Sequence, residues 1–411
     1  MKKRIIAAIT AALSLLSLTA CGEQPVNVSG GMVAGKHERT LMSPIEVTTD
    51  NVLNSVRLFD AVTASEELHN GMFSPLSLNM ALGMLAEGAE GSTKEALDKY
   101  LGTDDYGTFA ESYMKLAKEN YNGKSGKDDN YFEIANSFWG DGAFPFKEDY
   151  KNAVKQKFGA EICNMDFGET DKVVGEVNRW VSDKTHKMIP KLLEDIAPET
   201  VAILVNTVYF ESAWVEEWDY NADSKDTFTL FDGSTKELAL MRSSGGAYFE
   251  NDKATAFNYR YKNGLEFIGI LPKETSEFTL EGLDIPSLLE SRSYEYDVSE
   301  RMPKLTFDTN LPLADALCAA GLSELFDADT ADLSGMSEAE LWISDVLQKT
   351  RLELDEHKTK AAAATAVMLN GGMAMPEQRE RKEVFLDRPF AFLIYDPAQE
   401  LIVFMGKVTK P

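Results

Sequence analysis

Cysteine and histidine are scarce in this sequence, and this excludes several classes of protein. Only three cysteines occur in 411 residues, and two of them, Cys163 and Cys318, lie 155 positions apart in apolar surroundings. A chain this long can bury a core that is large enough to fold without disulfides. We therefore expect buried thiols at these positions and not a disulfide between them. No spacing typical of a zinc site occurs, so the sequence predicts no metal and no other cofactor.

Catalytic motifs are also missing. None of the four histidines stands in the sequence context of a serine, cysteine or zinc hydrolase. The best match to a phosphate-binding loop begins at Gly83, but Ala89 and Glu90 stand where lysine and serine or threonine are needed. A secreted hydrolase is therefore an alternative without a supporting motif, and we expect no enzyme. The histidines are His37, His69, His186 and His357.

Basic residues are fewer than acidic residues in this sequence. The chain has 41 lysines and arginines against 67 aspartates and glutamates, and its formal net charge is −26 at pH 7. Such a surface repels nucleic acids, which bind to basic stripes, and keeps a protein soluble. The sequence therefore predicts a protein that binds no nucleic acid. We also expect a monomer.

The N-terminus has the pattern of an export signal. Basic residues at positions 2–4 precede an apolar run at 5–18, which is too short to span a membrane. The run ends in Leu-Thr-Ala-Cys, which resembles a bacterial lipobox. This resemblance implies a lipoprotein signal peptide at residues 1–20 and a lipid attached to the thiol of Cys21.

The alternative is an ordinary signal peptide that is cut after Ala20 and releases the protein. Residues 21–45 contain Pro, Ser and Gly with few apolar side chains, so they are predicted to form a flexible tether. We therefore expect an extracellular protein, either secreted or anchored to the membrane through the lipid on Cys21.

Hydrophobic periodicity predicts one α+β domain at residues 46–411, with no internal repeat and no second linker. Residues 202–210 form a nearly continuous apolar run, so we expect a strand that is covered on both faces. Ser74 and Pro75 mark the start of a helix. Further helices are expected at 51–68, 147–158, 172–185 and 313–321, and strands at 130–139, 267–271, 304–307, 346–354, 384–395 and 401–408.

A long alanine-rich connection separates the last predicted strands. Connections of this length inside a compact domain are usually functional or disordered. A surface helix is one interpretation, because alanine and lysine favour helices. A period of two describes the segment better, since Thr359, Ala361, Ala363 and Thr365 share a small, apolar face and both Lys358 and Lys360 fall on the other. The pattern predicts a strand with one buried face and one solvated face.

Several motifs in this order resemble the serpin family, over about residues 51–411. The resemblance implies a fold of three β-sheets and about nine helices, with an exposed reactive-centre loop at about residues 356–384. It also implies that a target serine protease forms a covalent acyl complex with the cleaved loop, which then inserts into the central sheet. The motifs stand at residues 73–77, 85–94, 205–210 with Trp214, 302–305, 355–356 with 361–366, 388–394 and 404–408.

The resemblance also assigns site residues. The hinge of the loop contains Glu356, Lys358, Thr359, Lys360, Ala361, Ala362, Ala363 and Ala364. The shutter and breach, where the sheet parts, contain Ser74, Ser77, Asn206, Trp214, Lys304 and Gln348. Lys304 and Glu356 correspond to a pair that closes the top of the sheet.

This sequence departs from the family pattern at three of these positions. Gln348 stands where a histidine is usual, Lys358 where inhibitory members usually have glycine, and Lys360 where they often have glutamate. Glycine eases the bend that begins insertion, so Lys358 favours an alternative in which the chain is a non-inhibitory binding protein. Both lysines lie on the solvated face, where they need not block insertion, and we therefore expect inhibition.

The bond that the protease attacks is expected near Gly372. Counting from Glu356 as in the family gives Gly372, but glycine offers no side chain to a protease pocket, so we favour cleavage between Met373 and Ala374. Methionine or another small apolar residue there indicates an elastase-, chymotrypsin- or subtilisin-like target.

Overall fold

A computed structural model describes residues 49–64, 70–125, 128–198, 200–274, 278–357 and 379–411. The predicted signal peptide, Cys21 and the tether lie outside the described residues. The hinge from Lys358 to Ala364 and the reactive bond at Gly372, Met373 and Ala374 lie outside them as well.

The described ranges contain eight α-helices. They are α1 Thr49–Val62, α2 Pro75–Ala86, α3 Gly91–Leu101, α4 Tyr106–Asn120, α5 Glu148–Phe158, α6 Thr170–Lys184, α7 Ile285–Glu290 and α8 Ala314–Leu317. The strands are β1 Asn70–Phe73, β2 Gly123–Ser125, β3 Asp128–Asp141, β4 Glu161–Met165, β5 Ala202–Glu211, β6 Asp226–Thr229, β7 Thr235–Leu238, β8 Leu240–Ser244, β9 Tyr248–Glu250, β10 Ala254–Arg260, β11 Glu266–Pro272, β12 Asp297–Pro303, β13 Leu305–Pro312, β14 Asp345–Leu354, β15 Arg381–Phe385, β16 Phe390–Asp396 and β17 Leu401–Val408.

These strands form three main sheets, so the expected α+β class is confirmed. The central sheet has the order β13-β14-β5-β3, and both β2 and β4 pair with β3. The second sheet has the order β1-β17-β16-β11-β10-β9, and a three-stranded sheet has the order β15-β12-β8. A separate ribbon pairs β6 with β7.

Strand β5 is covered on both faces, as its continuous apolar sequence predicts. All ten of its residues are buried. On one face α6 packs through Val177 and Val181 against Ile203 and Val205. On the other face Leu204 belongs to the main core, together with α2 and the second sheet.

Helix α2 begins where the sequence predicts, because Ser74 caps it and Pro75 occupies its first turn. All twelve of its residues are buried, so the helix passes through the core and carries no solvated face. It therefore holds Ser74 and Ser77 against the inner face of the central sheet.

Three predicted elements differ from the structure. The strand expected at 384–395 is two strands, β15 and β16, because the segment around Pro389 lacks a backbone donor and passes between two different sheets. The helix expected at 313–321 is the single turn α8 followed by a π-helical turn, in which Gly321 has a φ of 97°. Helix α1 ends at Val62, earlier than the predicted residue 68.

Cys318 carries a free thiol, so no disulfide joins it to Cys163, as expected. The expected burial of this thiol is wrong, because Cys318 is only partly buried. Cys163 is buried, but it is disulfide-bonded, so the expected thiol at that position is wrong. None of the described helices is long and apolar enough to cross a membrane.

Candidate functional site

The candidate site is the seam between β5 and β14 in the central sheet. These two strands are parallel neighbours, and their register runs from Ile203↔Asp345 to Val208↔Thr350. Beyond Val208 and Thr350 the two strands no longer pair with each other, although β5 continues to Glu211 and β14 continues to Leu354. We call the part where β5 and β14 do not pair with each other, between residues 209–211 and 351–354, the opening.

Both strands keep their outer partners beside the opening. Strand β3 pairs with β5 as far as Tyr131↔Glu211, and β13 pairs with β14 as far as Leu305↔Leu354. The gap is therefore confined to the edges of β5 and β14 that face each other. Such edges present backbone donors and acceptors to a further strand.

Below the opening, buried hydrogen bonds close the seam. The side chain of Gln348 accepts a hydrogen bond from the Ser74 N–H at 2.7 Å and donates to the Ser74 carbonyl at 3.0 Å. Its Nε2 also lies 3.2 Å from Asn206 Oδ1. Gln348 and Asn206 are opposite each other in the register, so this last bond crosses the seam directly.

Asn206 connects the seam to α2. Its Nδ2 donates to the Ser77 carbonyl at 2.9 Å, and its Oδ1 accepts a hydrogen bond from the Ser77 hydroxyl. Ser74, Ser77, Asn206 and Gln348 are each no more than 1% exposed. The structure thus brings the four expected shutter residues into one network, in which Gln348 bonds to Ser74 and Asn206, and Ser77 joins through Asn206.

Asn136 also belongs to this network and was missed from the sequence. It lies on β3 opposite Asn206, and its Oδ1 accepts a hydrogen bond from Asn206 Nδ2 at 2.6 Å. The sequence does contain an indication of this role, because Asn136 falls on the same face of its strand as the apolar residues Ile134 and Phe138. A polar residue on a core-facing position requires a buried partner.

Two tryptophans close the top of the opening. Trp214 is fully buried and stacks on Tyr261, with ring centroids 4.1 Å apart. Its indole Nε1 donates to the Asp355 carbonyl at 2.8 Å. The backbone N–H of Trp218, which the sequence did not indicate, donates to the Glu356 carbonyl at 2.9 Å. The end of β14 is therefore tied to the segment that follows β5.

Lys304 and Glu356 form an ion pair at the same place, with Nζ and Oε2 separated by 2.6 Å. Partial burial tends to raise the pKa of Glu356, but the hydrogen bond and charge of Lys304 lower it below its ordinary value. The Lys304 ammonium also lies 3.7 Å from the ring centroid of Tyr220. Because Lys304 is 37% exposed, we expect the pair to contribute at most about 1 kcal/mol.

The first end of the predicted loop is held near the opening, and the second end is held near the three-stranded sheet. His357 is the last described residue before the loop, and its Nδ1 lies 3.2 Å from Glu217 Oε2. The chain is described again at Arg379, whose guanidinium donates to the Tyr294 carbonyl at 3.1 Å. The last residues of the predicted loop lie in β15, which pairs in parallel with β12.

The described histidines form no nucleophile–base arrangement. His186 Nε2 lies 3.1 Å from Glu133 Oε2, and His357 contacts Glu217 and Glu356. Among the described residues, no serine hydroxyl is bonded to either imidazole. No group of three possible metal ligands occurs in those residues either.

Comparison with known proteins identifies the family. The family model Serpin (serine protease inhibitor) matches residues 51–411. An uncharacterised serpin-like protein of Methanosarcina acetivorans is 32% identical over 92% of this chain and 94% of its own length. Leukocyte elastase inhibitor A of Mus musculus is 28% identical over 89% of this chain and 100% of its own length. The crystal structure of a thermophilic serpin, Tengpin, in the native state is similar with a TM-score of 0.77 and 29% identity, over 90% of this chain and 96% of that chain.

The chain therefore belongs to the serpin family, and the expected serpin fold is confirmed. Serpins are protease inhibitors and not catalysts, although non-inhibitory members also share the fold.

Proposed function

We propose that this chain traps serine proteases covalently, with residues 356–384 as bait. One observation carries the proposal: within the described residues, β5 and β14 stop pairing with each other after Val208 and Thr350, and this opening lies directly beside the end of the strand from which the loop departs. A segment that turns back from β14 into this position is antiparallel to β14. It is antiparallel to β5 as well, because β5 and β14 are parallel to each other. Insertion thus replaces one parallel pair with two antiparallel pairs, which are slightly more stable per residue.

The trapping step begins as ordinary proteolysis. The protease serine attacks the scissile carbonyl, an ester bond to the protease forms, the peptide bond breaks, and the new amino terminus leaves with a proton. The part of the loop that follows β14 is then free to insert. Insertion separates Gln348 from Asn206, so it must break the hydrogen bond across the seam. New ladder bonds and burial of the small face from Thr359 onwards favour the inserted state.

We propose that the scissile bond joins Met373 to Ala374, one residue beyond Gly372. An unbranched apolar side chain before the cleaved bond suits an elastase-, chymotrypsin- or subtilisin-like protease. The similarity to the mouse protein named leukocyte elastase inhibitor A supports this class of target.

We also propose that the protein is exported and anchored through a lipid on Cys21, with secretion after an ordinary signal peptide as the alternative. The basic, apolar and Leu-Thr-Ala-Cys pattern of residues 1–21 supports this. The mass of the mature N-terminus tests it, since an unmodified Cys21 contradicts anchoring.

A second candidate is a non-inhibitory binding protein, which Lys358 and Lys360 suggest. Thyroxine-binding globulin, solved in complex with thyroxine, has the same fold at 23% identity. The fold alone is therefore compatible with both functions.

Incubation with elastase, chymotrypsin and subtilisin, followed by boiling in SDS, separates the two candidates. We expect a covalent band of the summed mass with at least one protease, and no band when the protease serine is blocked beforehand. Mass spectrometry of the released C-terminal peptide is expected to begin at Ala374. Cleavage within the loop without any covalent band, for all three proteases, contradicts inhibition of this class and supports the binding protein.

A further inference from the structure

A cavity of about 190 Å³ lies where the second sheet meets the three-stranded sheet. Its walls come from the end of β10, the turn between β8 and β9, and the segments that follow β5 and precede β12. A single water needs roughly 10–15 Å³, so this cavity has room for a small molecule.

The turn that forms one wall is held tightly against β10. The Gly246 N–H donates to Glu300 Oε1 at 2.8 Å, and the Ala247 N–H donates to Asn258 Oδ1 at 2.7 Å. A Cβ atom at Gly246 would lie 2.3 Å from the Asn258 carbonyl oxygen, so only glycine fits there. The wall is therefore fixed before any ligand binds.

Asn258 offers this cavity a hydrogen-bond donor. Its side chain lines the cavity and is only 2% exposed. Because Oδ1 accepts the hydrogen bond from Ala247, the orientation of the amide group is fixed. Its Nδ2 has no acceptor among the described residues. A buried donor of this kind requires an acceptor, which a ligand in the cavity would supply.

Arg260 adds a positive charge beside this amide. It also lines the cavity, and it lies two positions after Asn258 on β10, so both side chains fall on the same face of the strand. Arg260 is exposed and forms no ion pair within the described ranges. A guanidinium and an amide donor side by side are suited to a carboxylate, which only accepts hydrogen bonds.

The mouth of the cavity carries exposed apolar side chains. Val215 is 50% exposed and Tyr294 is 55% exposed, and both line the cavity. In the part of the chain that the structure describes, Phe231 is the one other large apolar side chain with comparable exposure. Exposed apolar side chains that gather around a cavity indicate a binding site.

We propose that this cavity binds a small monocarboxylate that carries an apolar group. Arg260 and Asn258 hold the carboxylate, and Val215 and Tyr294 pack against the apolar group. The exposed carboxylate of Glu216 also lines the cavity, so it repels a ligand with a second negative charge. This binding site goes beyond the trapping of proteases and does not depend on it.

Isothermal titration calorimetry of the full chain with phenylpropionate at pH 7.5 tests the site. We expect saturable binding of one molecule per chain. Phenethylamine keeps the ring but has an ammonium in place of the carboxylate, and it is expected not to bind. Phenylsuccinate adds a second carboxylate and is expected to bind about five-fold more weakly, which is the size of one exposed charge interaction.

Two substitutions examine the donors. Arg260→Gln removes an exposed charge without disturbing the core, and we expect it to weaken phenylpropionate binding about tenfold or more. Asn258→Asp keeps the hydrogen bond from Ala247 but replaces the amide donor with a carboxylate, so it is expected to abolish binding. Arg57→Gln, at an exposed arginine on α1, is the matched control and should bind like the wild type.

Glu216→Gln should remove the preference for phenylpropionate over phenylsuccinate. An undiminished preference in this variant would show that Glu216 does not set the charge of the ligand. Absence of saturable binding overturns the site, and so does equal affinity of the wild type and Arg260→Gln. Equal affinity for phenylpropionate and phenethylamine overturns it as well, because the carboxylate is then not recognised. Covalent trapping of a protease is measured separately and is unaffected by any of these results.

Discussion

Glu300 is a fully buried carboxyl group on β12, between β8 and β15. Its Oε1 accepts a hydrogen bond from the Gly246 N–H at 2.8 Å, and its Oε2 has no hydrogen-bond partner among the described residues. Burial raises the pKa of Glu300 from 4.5 to about 7. Between these values the folded chain holds a proton that the unfolded chain has lost. Stability therefore falls as the pH rises through this window.

Replacement of Glu300 by glutamine removes this cost, because the amide oxygen still accepts the Gly246 hydrogen bond without a buried charge. We expect Glu300→Gln to raise the free energy of unfolding at pH 8 by about 3 kcal/mol, and to change it little at pH 4.5. Urea unfolding at both pH values measures the difference. The exposed Glu295→Gln is the matched control and should show no such pH dependence. An equal effect of Glu300→Gln at both pH values is incompatible with a buried charge as the cause.

The strand that fills the seam is expected to tolerate only small or apolar side chains on its core face. Side chains alternate along a strand, and Thr359 and Ala363 fall on the core face of the predicted one. Arginine at either position therefore buries a charge on insertion, which costs several kcal/mol. Slower insertion lets water reach the acyl-enzyme first. We expect Thr359→Arg and Ala363→Arg to turn the inhibitor into a substrate, with the number of chains cleaved per protease trapped rising about tenfold or more.

The matched control is Ala362→Arg. Residue 362 falls on the solvated face of the predicted strand, so this variant is expected to keep its trapping efficiency. Titration of the protease with each variant, followed by quantification of the covalent band, gives the ratio. Equal ratios for the Ala362 and Ala363 variants would remove the basis for strand insertion.

Sequence periodicity located most elements, because it reports which residues share a face. It identified β5 from its continuous apolar run and α2 from the Ser74 cap. It joined β15 and β16 into one strand because the apolar residues on either side of Pro389 continue the pattern. The proline itself was the missed signal, since it lacks the N–H that a ladder needs.

Periodicity does not report which strands are neighbours. Strands β5 and β14 lie more than 130 positions apart, and their parallel pairing depends on the packing of the whole sheet. The candidate site was therefore predicted from family resemblance and not from local pattern. Asn136 and Trp218 were missed because each acts through a partner that only the tertiary fold brings close.

Over the whole molecule, the opening between β5 and β14 means that a strand could be added without displacing any of the described elements. Strand addition to the central sheet would bridge β13–β14 and β5–β3, which otherwise meet only along the seam below the opening. A separate peptide with the sequence of residues 359–369 should bind there, since its backbone can pair with both strands and its small face fits the core side.

We expect this peptide to raise the stability of the entire chain and to abolish trapping, because the loop then has no place to insert. At a concentration one hundred times its dissociation constant, the stabilisation is about 2.7 kcal/mol, which thermal unfolding with and without peptide measures. The same peptide with arginine at the position of Ala363 is the control and should neither stabilise nor block the covalent band. Stabilisation without loss of trapping would place the peptide elsewhere on the surface, and the seam would then not be the position that the loop fills.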